Sequence, residues 1–288
     1  MEDDISEYRR TGEKLDKKTV FLDIDGTLTN FQGELPGSAE YALREAARRG
    51  HDMVICSGRT YTQIYPWIRE GGLFQGIVSG AGSMVRCHGK VVFRRYVEPE
   101  KTSMLLDYLD EIGSLYFLQG DSGIYCPRNR REEALQLFGG SEEALEEKSK
   151  LLGRITFTDD PKDSPEVNKF VFYGAGRTIR QMQKDLGDFF TVVETSFKLA
   201  DTVDGEITMK GYDKAFGMQK YLDANGSRRE DTIAFGDGPN DFEMLDYAQI
   251  GVAMGNALPA LKETADLVTD PVDEDGLLHA FQKLGLIG

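Results

Sequence analysis

The feature that most constrains this chain is a rhythm of short, wholly apolar runs that stop at polar clusters and alternate with stretches of helical period. Thr19-Val20-Phe21-Leu22 is too short for a helix, is rich in strand formers, and stops at Asp23. From Pro36 to Arg49 the spacing of Ala39, Ala42, Leu43, Ala46 and Ala47 draws one helical stripe, with Gly50 placed to end it. Met53-Val54-Ile55-Cys56 is again apolar and ends at Ser57-Gly58-Arg59, followed by a helix over residues 60–70 and a strand over 76–79. Strands that lack a polar face are buried on both sides. The alternation therefore predicts an α/β fold: a doubly wound parallel sheet with helices on each side and right-handed crossovers.

The rhythm breaks at Met84-Val85-Arg86 and Val91-Val92-Phe93, which flank Cys87-His88-Gly89-Lys90 as a hairpin. Beyond it the patterns predict helices over 101–112, 131–138, 142–152 and 177–186, and strands over 115–118, 123–126, 154–157, 169–173, 191–194 and 206–209. Such mixing reads as an inserted α+β unit. Alternation resumes with a helix over 213–224, a strand over 232–235, a helix over 242–247, a strand over 250–253 and a helix over 258–264. The expected organisation is a core of residues 1–82 and 210–288 interrupted by a cap of residues 83–209, and 288 residues suffice for both.

Charge narrows the partners. With 34 Lys and Arg against 49 Asp and Glu, the net charge is −15 and no basic stripe is visible, which argues against nucleic acid. Residues 231–288 alone hold eleven Asp or Glu against Lys262 and Lys283, a surplus that can help hold a divalent cation. No signal peptide or run of eighteen apolar residues is seen, so no membrane partner is expected. Cys56, Cys87 and Cys126 are odd in number and form no C-x-x-C pair, which suggests a reducing cytoplasm and an inert, buried Cys56 thiol. His51, His88 and His279 share no ligand spacing and are read as structural, and Tyr61, Tyr65 and Trp67 as core packing.

In an open parallel sheet, ligands bind beyond the carboxyl ends of the strands. Four such places carry polar residues: Asp23-Ile24-Asp25-Gly26-Thr27-Leu28-Thr29, Ser57-Gly58-Arg59, the surroundings of Lys214, and Gly236-Asp237-Gly238-Pro239-Asn240-Asp241. Alternation lets Asp23 and Asp25 face one opening while Ile24 packs inward. Two carboxylates at one opening need a cation or a proton between them, and Asp237 and Asp241 add hard oxygen donors of the kind Mg²⁺ prefers. Taken singly, each cluster also fits a bland role: a strand-end turn, an N-cap, a surface lysine, or, for Arg59, a surface cation as readily as a brace for the carboxylates.

Asp-x-Asp-Gly-Thr-Leu, a strand-end Ser, a Lys and Gly-Asp-Gly-x-Asn-Asp, in that order, resemble the haloacid dehalogenase superfamily, and the large insert between the Ser and the Lys resembles its Cof-type branch. The resemblance implies a phosphatase of small phosphorylated metabolites, sugar phosphates among them. Asp23 would be the nucleophile that forms an aspartyl-phosphate, and Asp25 the general acid and then base. Mg²⁺ would be held by the Asp23 carboxylate, the Asp25 main-chain carbonyl, Asp237 and Asp241. Ser57, Gly58, Lys214 and the amides around Gly26 and Thr27 would grip the phosphoryl oxygens, with Asn240 steering Lys214 or the phosphoryl group.

Lys214 is preferred to Lys210 because it follows Gly211-Tyr212-Asp213 at a helix start. The chain departs from its relatives at Ala81-Gly82-Ser83, where they usually carry Asn-Gly-Ala. A sugar phosphomutase and a phospho-accepting switch remain as alternatives, although a switch needs no cap. Arg86, Arg94, Arg95 and Lys169 are the cap cations considered for the leaving group, and oligomeric state is left open.

Overall fold

The computed structural model describes residues 17–195 and 202–288. Its strands are β1 (Thr19–Leu22), β2 (Asp52–Cys56), β3 (Gly76–Ser79), β4 (Met84–Cys87), β5 (Lys90–Arg94), β6 (Leu115–Gly120), β7 (Gly123–Pro127), β8 (Ile155–Thr158), β9 (Val167–Tyr173), β10 (Phe190–Glu194), β11 (Gly205–Met209), β12 (Thr232–Gly236), β13 (Ile250–Ala253) and β14 (Leu267–Val268). The helices are α1 (Gly37–Arg48), α2 (Pro66–Glu70), α3 (Pro99–Glu111), α4 (Arg131–Leu137), α5 (Glu142–Leu152), α6 (Ile179–Leu186), α7 (Lys214–Asn225), α8 (Phe242–Tyr247), α9 (Pro259–Thr264) and α10 (Gly276–Lys283). Among these residues no helix is long and apolar enough to cross a membrane.

The described residues form two sheets, an eight-stranded one in the order β14-β13-β12-β1-β2-β3-β4-β5 and a six-stranded one in the order β10-β11-β9-β6-β7-β8. From β14 to β3 every pairing in the first sheet is parallel. Side-chain alternation divides its apolar residues between two layers. Val20, Leu22, Met53 and Ile55 pack with Ala39, Leu43, Leu277 and Phe281, under α1 and α10. Phe21, Val54 and Cys56 pack instead with Met218, Tyr221, Leu222, Met244 and Leu245, under α7 and α8. This is the doubly wound fold read from the sequence, with an inserted second sheet whose pairings are antiparallel except β7–β8.

Three expectations change. The hairpin of β4 and β5 pairs with β3 in the first sheet, so the strand order moves the end of the core past the expected 82/83 boundary. His88 and Gly89 take positive φ values of 48° and 77°, the conformation a two-residue turn needs. Periodicity cannot tell which sheet a hairpin will join. The helix expected over residues 60–70 is split into a 3₁₀ turn, Tyr61–Gln63, and α2, because Pro66 cannot continue a helix and forces Tyr65 into an extended conformation. Trp67 is not core: it is 39 % exposed and stacks on Tyr65 at 6.2 Å. The short β14 and α10 were not anticipated at all; they lie at the acid-rich end of the chain, and α10 closes one layer by packing on α1.

Gly76 shows how tightly the other layer is filled, since a β-carbon there would sit 2.0 Å from the Tyr221 ring. Gly76→Ala is expected to lower stability by about 1–3 kcal/mol through overpacking, read as a lower denaturant midpoint with an unchanged slope.

Candidate active site

Parallel pairing of β1 and β12 brings two acidic strand ends together, because Leu22 lies opposite Phe235 and the chain then runs on to Asp23 and to Gly236-Asp237. The Asp23 amide donates to the Phe235 carbonyl at 3.0 Å, so the sheet itself positions the first carboxylate. Ile24 packs into the core, and the chain turns sharply, with the Gly26 amide donating to the Thr29 carbonyl at 2.8 Å. Gly26 has a φ of +83°, and a β-carbon on it would lie 2.3 Å from an Asp237 carboxylate oxygen. Only glycine allows this approach. Thr27 then donates its hydroxyl to Asp237 Oδ1 at 2.8 Å.

Asp241 is wholly buried and accepts the amides of Asp237 and Gly238 on Oδ2 at 3.0 and 2.9 Å. Its Oδ1 accepts Lys214 Nζ at 2.5 Å, and the same ammonium donates to Asp23 Oδ1 at 2.7 Å. Lys214 enters at the first residue of α7, where the Asp213 side chain caps the helix by accepting the Phe216 amide at 2.7 Å. The strand before it, β11, belongs to the second sheet, so this place is not a core strand end, and the ammonium arrives from the helix start expected after Asp213. Lys210 is exposed and donates instead to the Gly187 carbonyl.

Asp23, Asp237 and Asp241 have carboxylate oxygens within 4.8 Å of one another, and all three are buried. Burial pushes Asp23 up to about 7, with Lys214 opposing and Asp241 and Asp25 adding to the rise. Burial, followed by Asp23 and Asp241, pushes Asp237 up to about 8. Burial by itself would strip the Lys214 proton, but the facing carboxylates outweigh it and hold the ammonium well above its usual range. Three acids with one ammonium leave negative charge that a hard divalent cation would neutralise, so the donor set fits such an ion.

The Asp25 carboxylate is not in this group, and only the main-chain carbonyl of that residue was expected as a ligand. Its side chain pairs doubly with Arg59, Nε to Oδ2 and Nη2 to Oδ1, both at 2.7 Å. Arg59 is thus a brace and not a surface cation: it also donates to the Gln63 carbonyl at 3.0 Å and lies 4.6 Å above the Tyr65 ring. The Gly26 amide is used within the turn, whereas the Thr27 amide makes only a long 3.4 Å bond to Ile24 and stays the more available of the two.

Ser57 is buried at the end of β2, where its hydroxyl accepts the Arg59 amide at 3.2 Å. Asn240 approaches the second strand end, its Nδ2 lying 3.0 Å from where a β-carbon on Gly58 would be. At the departed hinge, a β-carbon on Gly82 would strike the Asp213 carbonyl at 2.0 Å, so close packing there rests on glycine.

Cys56 is buried, and burial pushes its thiol up, away from reactivity. The histidines bond elsewhere, His51 to the Lys18 amide, His88 to Asn225 and His279 to Asp270. Sequence reasoning missed Asn256, whose Nδ2 donates to the Gly26 carbonyl at 2.8 Å while its Oδ1 accepts the Val272 amide. The available signal was its place just after the apolar strand over residues 250–253, the same rule that selected the other sites.

The acid cluster sets a pH dependence. A carboxyl raised from 3.8 to about 8 in the fold, as at Asp237, keeps its proton where the unfolded chain has lost it. Its contribution is full below the unfolded value and is lost as pH rises through the folded one. Thermal unfolding in a chelator should therefore show this contribution falling between pH 4 and 8, and added Mg²⁺ should raise Tm more at pH 8 than at pH 5. An equal Mg²⁺ effect at both pH values would refute the coupling.

A family model described as haloacid dehalogenase-like hydrolase matches residues 20–281. YkrA of Bacillus subtilis (strain 168) is 31 % identical over 278 residues, covering 95 % of this chain and 100 % of that protein. The 5-amino-6-(5-phospho-D-ribitylamino)uracil phosphatase YitU of the same organism is 27 % identical over 269 residues, 92 % of this chain and 96 % of YitU. A hypothetical protein of Geobacillus kaustophilus HTA426 superposes with a TM-score of 0.76 at 26 % identity, covering 94 % of this chain and 100 % of that one. The chain belongs to the haloacid dehalogenase-like hydrolases, and within them to the Cof-type phosphatases.

Proposed function

We propose that this chain is a Mg²⁺-dependent phosphomonoester hydrolase of small phosphorylated metabolites, sugar phosphates in particular, working through an aspartyl-phosphate on Asp23. The observation that carries the reading is the buried ammonium of Lys214 between Asp23 and Asp241, with the Asp237 carboxylate in the same group and Asp25 held beside it by Arg59. A carboxylate oxygen of Asp23 attacks phosphorus, and the bond from phosphorus to the leaving oxygen breaks as Asp25 gives that oxygen a proton. Asp25 then takes a proton from water, whose oxygen attacks phosphorus and releases inorganic phosphate and free Asp23. Mg²⁺, bound through Asp23, Asp237, Asp241 and the Asp25 main-chain carbonyl, would supply the positive potential that admits a phosphate anion among ionised aspartates.

Arg59 bears on the proton steps. Its two hydrogen bonds occupy both Asp25 carboxylate oxygens, so the acid step requires Asp25 to turn from Arg59 to the leaving oxygen. Lys214 supports the phosphoryl oxygens and cancels part of the acid charge, with Ser57, Gly58 and Asn240 at the adjoining strand ends. A relative named for a phosphate carried on a ribityl chain supports a polyol ester as substrate. Free, buried Cys56, Cys87 and Cys126 support the cytoplasm as the place of action.

Phosphate release should be measured over a panel of phosphorylated metabolites with Mg²⁺ and with chelator. Asp23→Asn is expected to cost on the order of a thousandfold or more and Asp25→Asn about a hundredfold or more, while Lys210→Ala retains turnover. Isomerised sugar phosphate formed without free phosphate would replace hydrolase by mutase, and a phospho-aspartate stable for minutes without turnover would favour a switch.

A further inference from the structure

The cap contains a buried ion pair that the chemistry above does not use. Lys169 Nζ lies 2.9 Å from Glu206 Oε2, and the two side chains are only 3 % and 16 % exposed. They come from neighbouring antiparallel strands, with Lys169 opposite Thr208 and Glu206 opposite Val171, so they meet diagonally on one face of the six-stranded sheet. The other face, with Phe170, Phe172, Ile207, Tyr116 and Leu118, is apolar, and on the face of the pair itself Leu115 and Phe117 belong to a separate apolar cluster. An apolar pair would suit a buried sheet position at least as well, because desolvating both charges offsets much of their attraction.

The pair is placed over the mouth of the core. A β-carbon on Gly58 would be 3.6 Å from both Lys169 Nζ and Glu206 Oε2, and Gly58 directly follows Ser57. Gln119 lies opposite Lys169 on the same face, and its Oε1 is buried with no hydrogen-bond partner. Arg86, Arg94 and Arg95 are engaged elsewhere, over Tyr61, over Tyr96 and with Glu98. Lys169 is the one of the four considered cations that reaches the mouth.

We infer that Lys169 and Glu206 determine specificity, selecting a neutral, hydroxyl-rich leaving group and rejecting one that carries a second anion. The inference rests on the hydrolase reading. Glu206 cancels the charge that would otherwise attract a carboxylate or second phosphate, and meets such a group with repulsion. Hydroxyls, in contrast, find a donor in Lys169 and acceptors in Glu206 and Gln119. This deepens the substrate class from sugar phosphates to polyol and neutral sugar monophosphates.

The test compares kcat/KM for sorbitol 6-phosphate and gluconate 6-phosphate, which share a carbon chain and differ in a carboxylate. Wild type is expected to prefer the polyol by about tenfold or more, and Glu206→Gln to cut that ratio about tenfold, with circular dichroism as the check on folding. The uncharged Lys169→Met/Glu206→Leu double variant avoids a stranded buried charge; it should raise KM for sorbitol 6-phosphate about tenfold without raising KM for p-nitrophenyl phosphate. An unchanged ratio in Glu206→Gln, no polyol preference in wild type, or equal KM changes in the double variant would overturn the assignment while leaving the hydrolase intact. Wild-type protein that releases phosphate from none of the three esters would overturn both.

Discussion

The mouth of this fold is organised around one buried ammonium. Lys214 joins Asp23, at the end of β1, to Asp241, four residues beyond Asp237, and so ties together three segments far apart in the chain. A lysine so buried is tolerable only because two carboxylates face it, and removing the lysine would leave both of them in the interior without a counter-charge. The same arithmetic leaves the site short of positive charge. Asp241 is satisfied by two amides and the ammonium, whereas Asp23 is raised by burial, Asp241 and Asp25, and Asp237 by burial, Asp23 and Asp241. Stability of the ion-free fold and affinity for a cation are thus opposite sides of one electrostatic imbalance.

That imbalance is held in place by backbone geometry. Parallel register sets the ends of β1 and β12 side by side, and Gly26 lets the first turn approach the Asp237 carboxylate closer than any side chain would permit. Thr27 and Asn256 then hold this turn, one through the carboxylate and one through the Gly26 carbonyl. Asp25, one residue past the inward Ile24, is left at the rim, where Arg59 holds it. Two aspartates separated by one residue thereby acquire different surroundings, which suits a nucleophile and a proton carrier.

The inserted sheet completes the mouth from above. One face is spent on its own helices, and the other carries, besides an apolar cluster around Phe117, the polar group of Lys169, Glu206 and Gln119 nearest Gly58. On the proposed reading, chemistry resides in the core and selectivity in side chains that the core does not contain.

Much of this was legible in the sequence because it depends on local pattern. Apolar runs without a polar face dictate a doubly wound sheet, and a polar residue that ends such a run must emerge at the ligand-binding edge, which is how Asp23, Ser57 and Asp237 were found. Other features depend on which distant segment arrives as neighbour. The sheet that receives the β4–β5 hairpin, the bonding of Lys214 to both Asp23 and Asp241, the pairing of Asp25 with Arg59, and the meeting of Lys169 with Glu206 over Gly58 are of this kind. The sequence by itself determined the layers and the edge where reactive groups gather, since periodicity follows from backbone geometry. Only the tertiary structure decided which charge faces which, because Coulomb energy and desolvation depend on distance and burial in space, and neither is written in the order of residues.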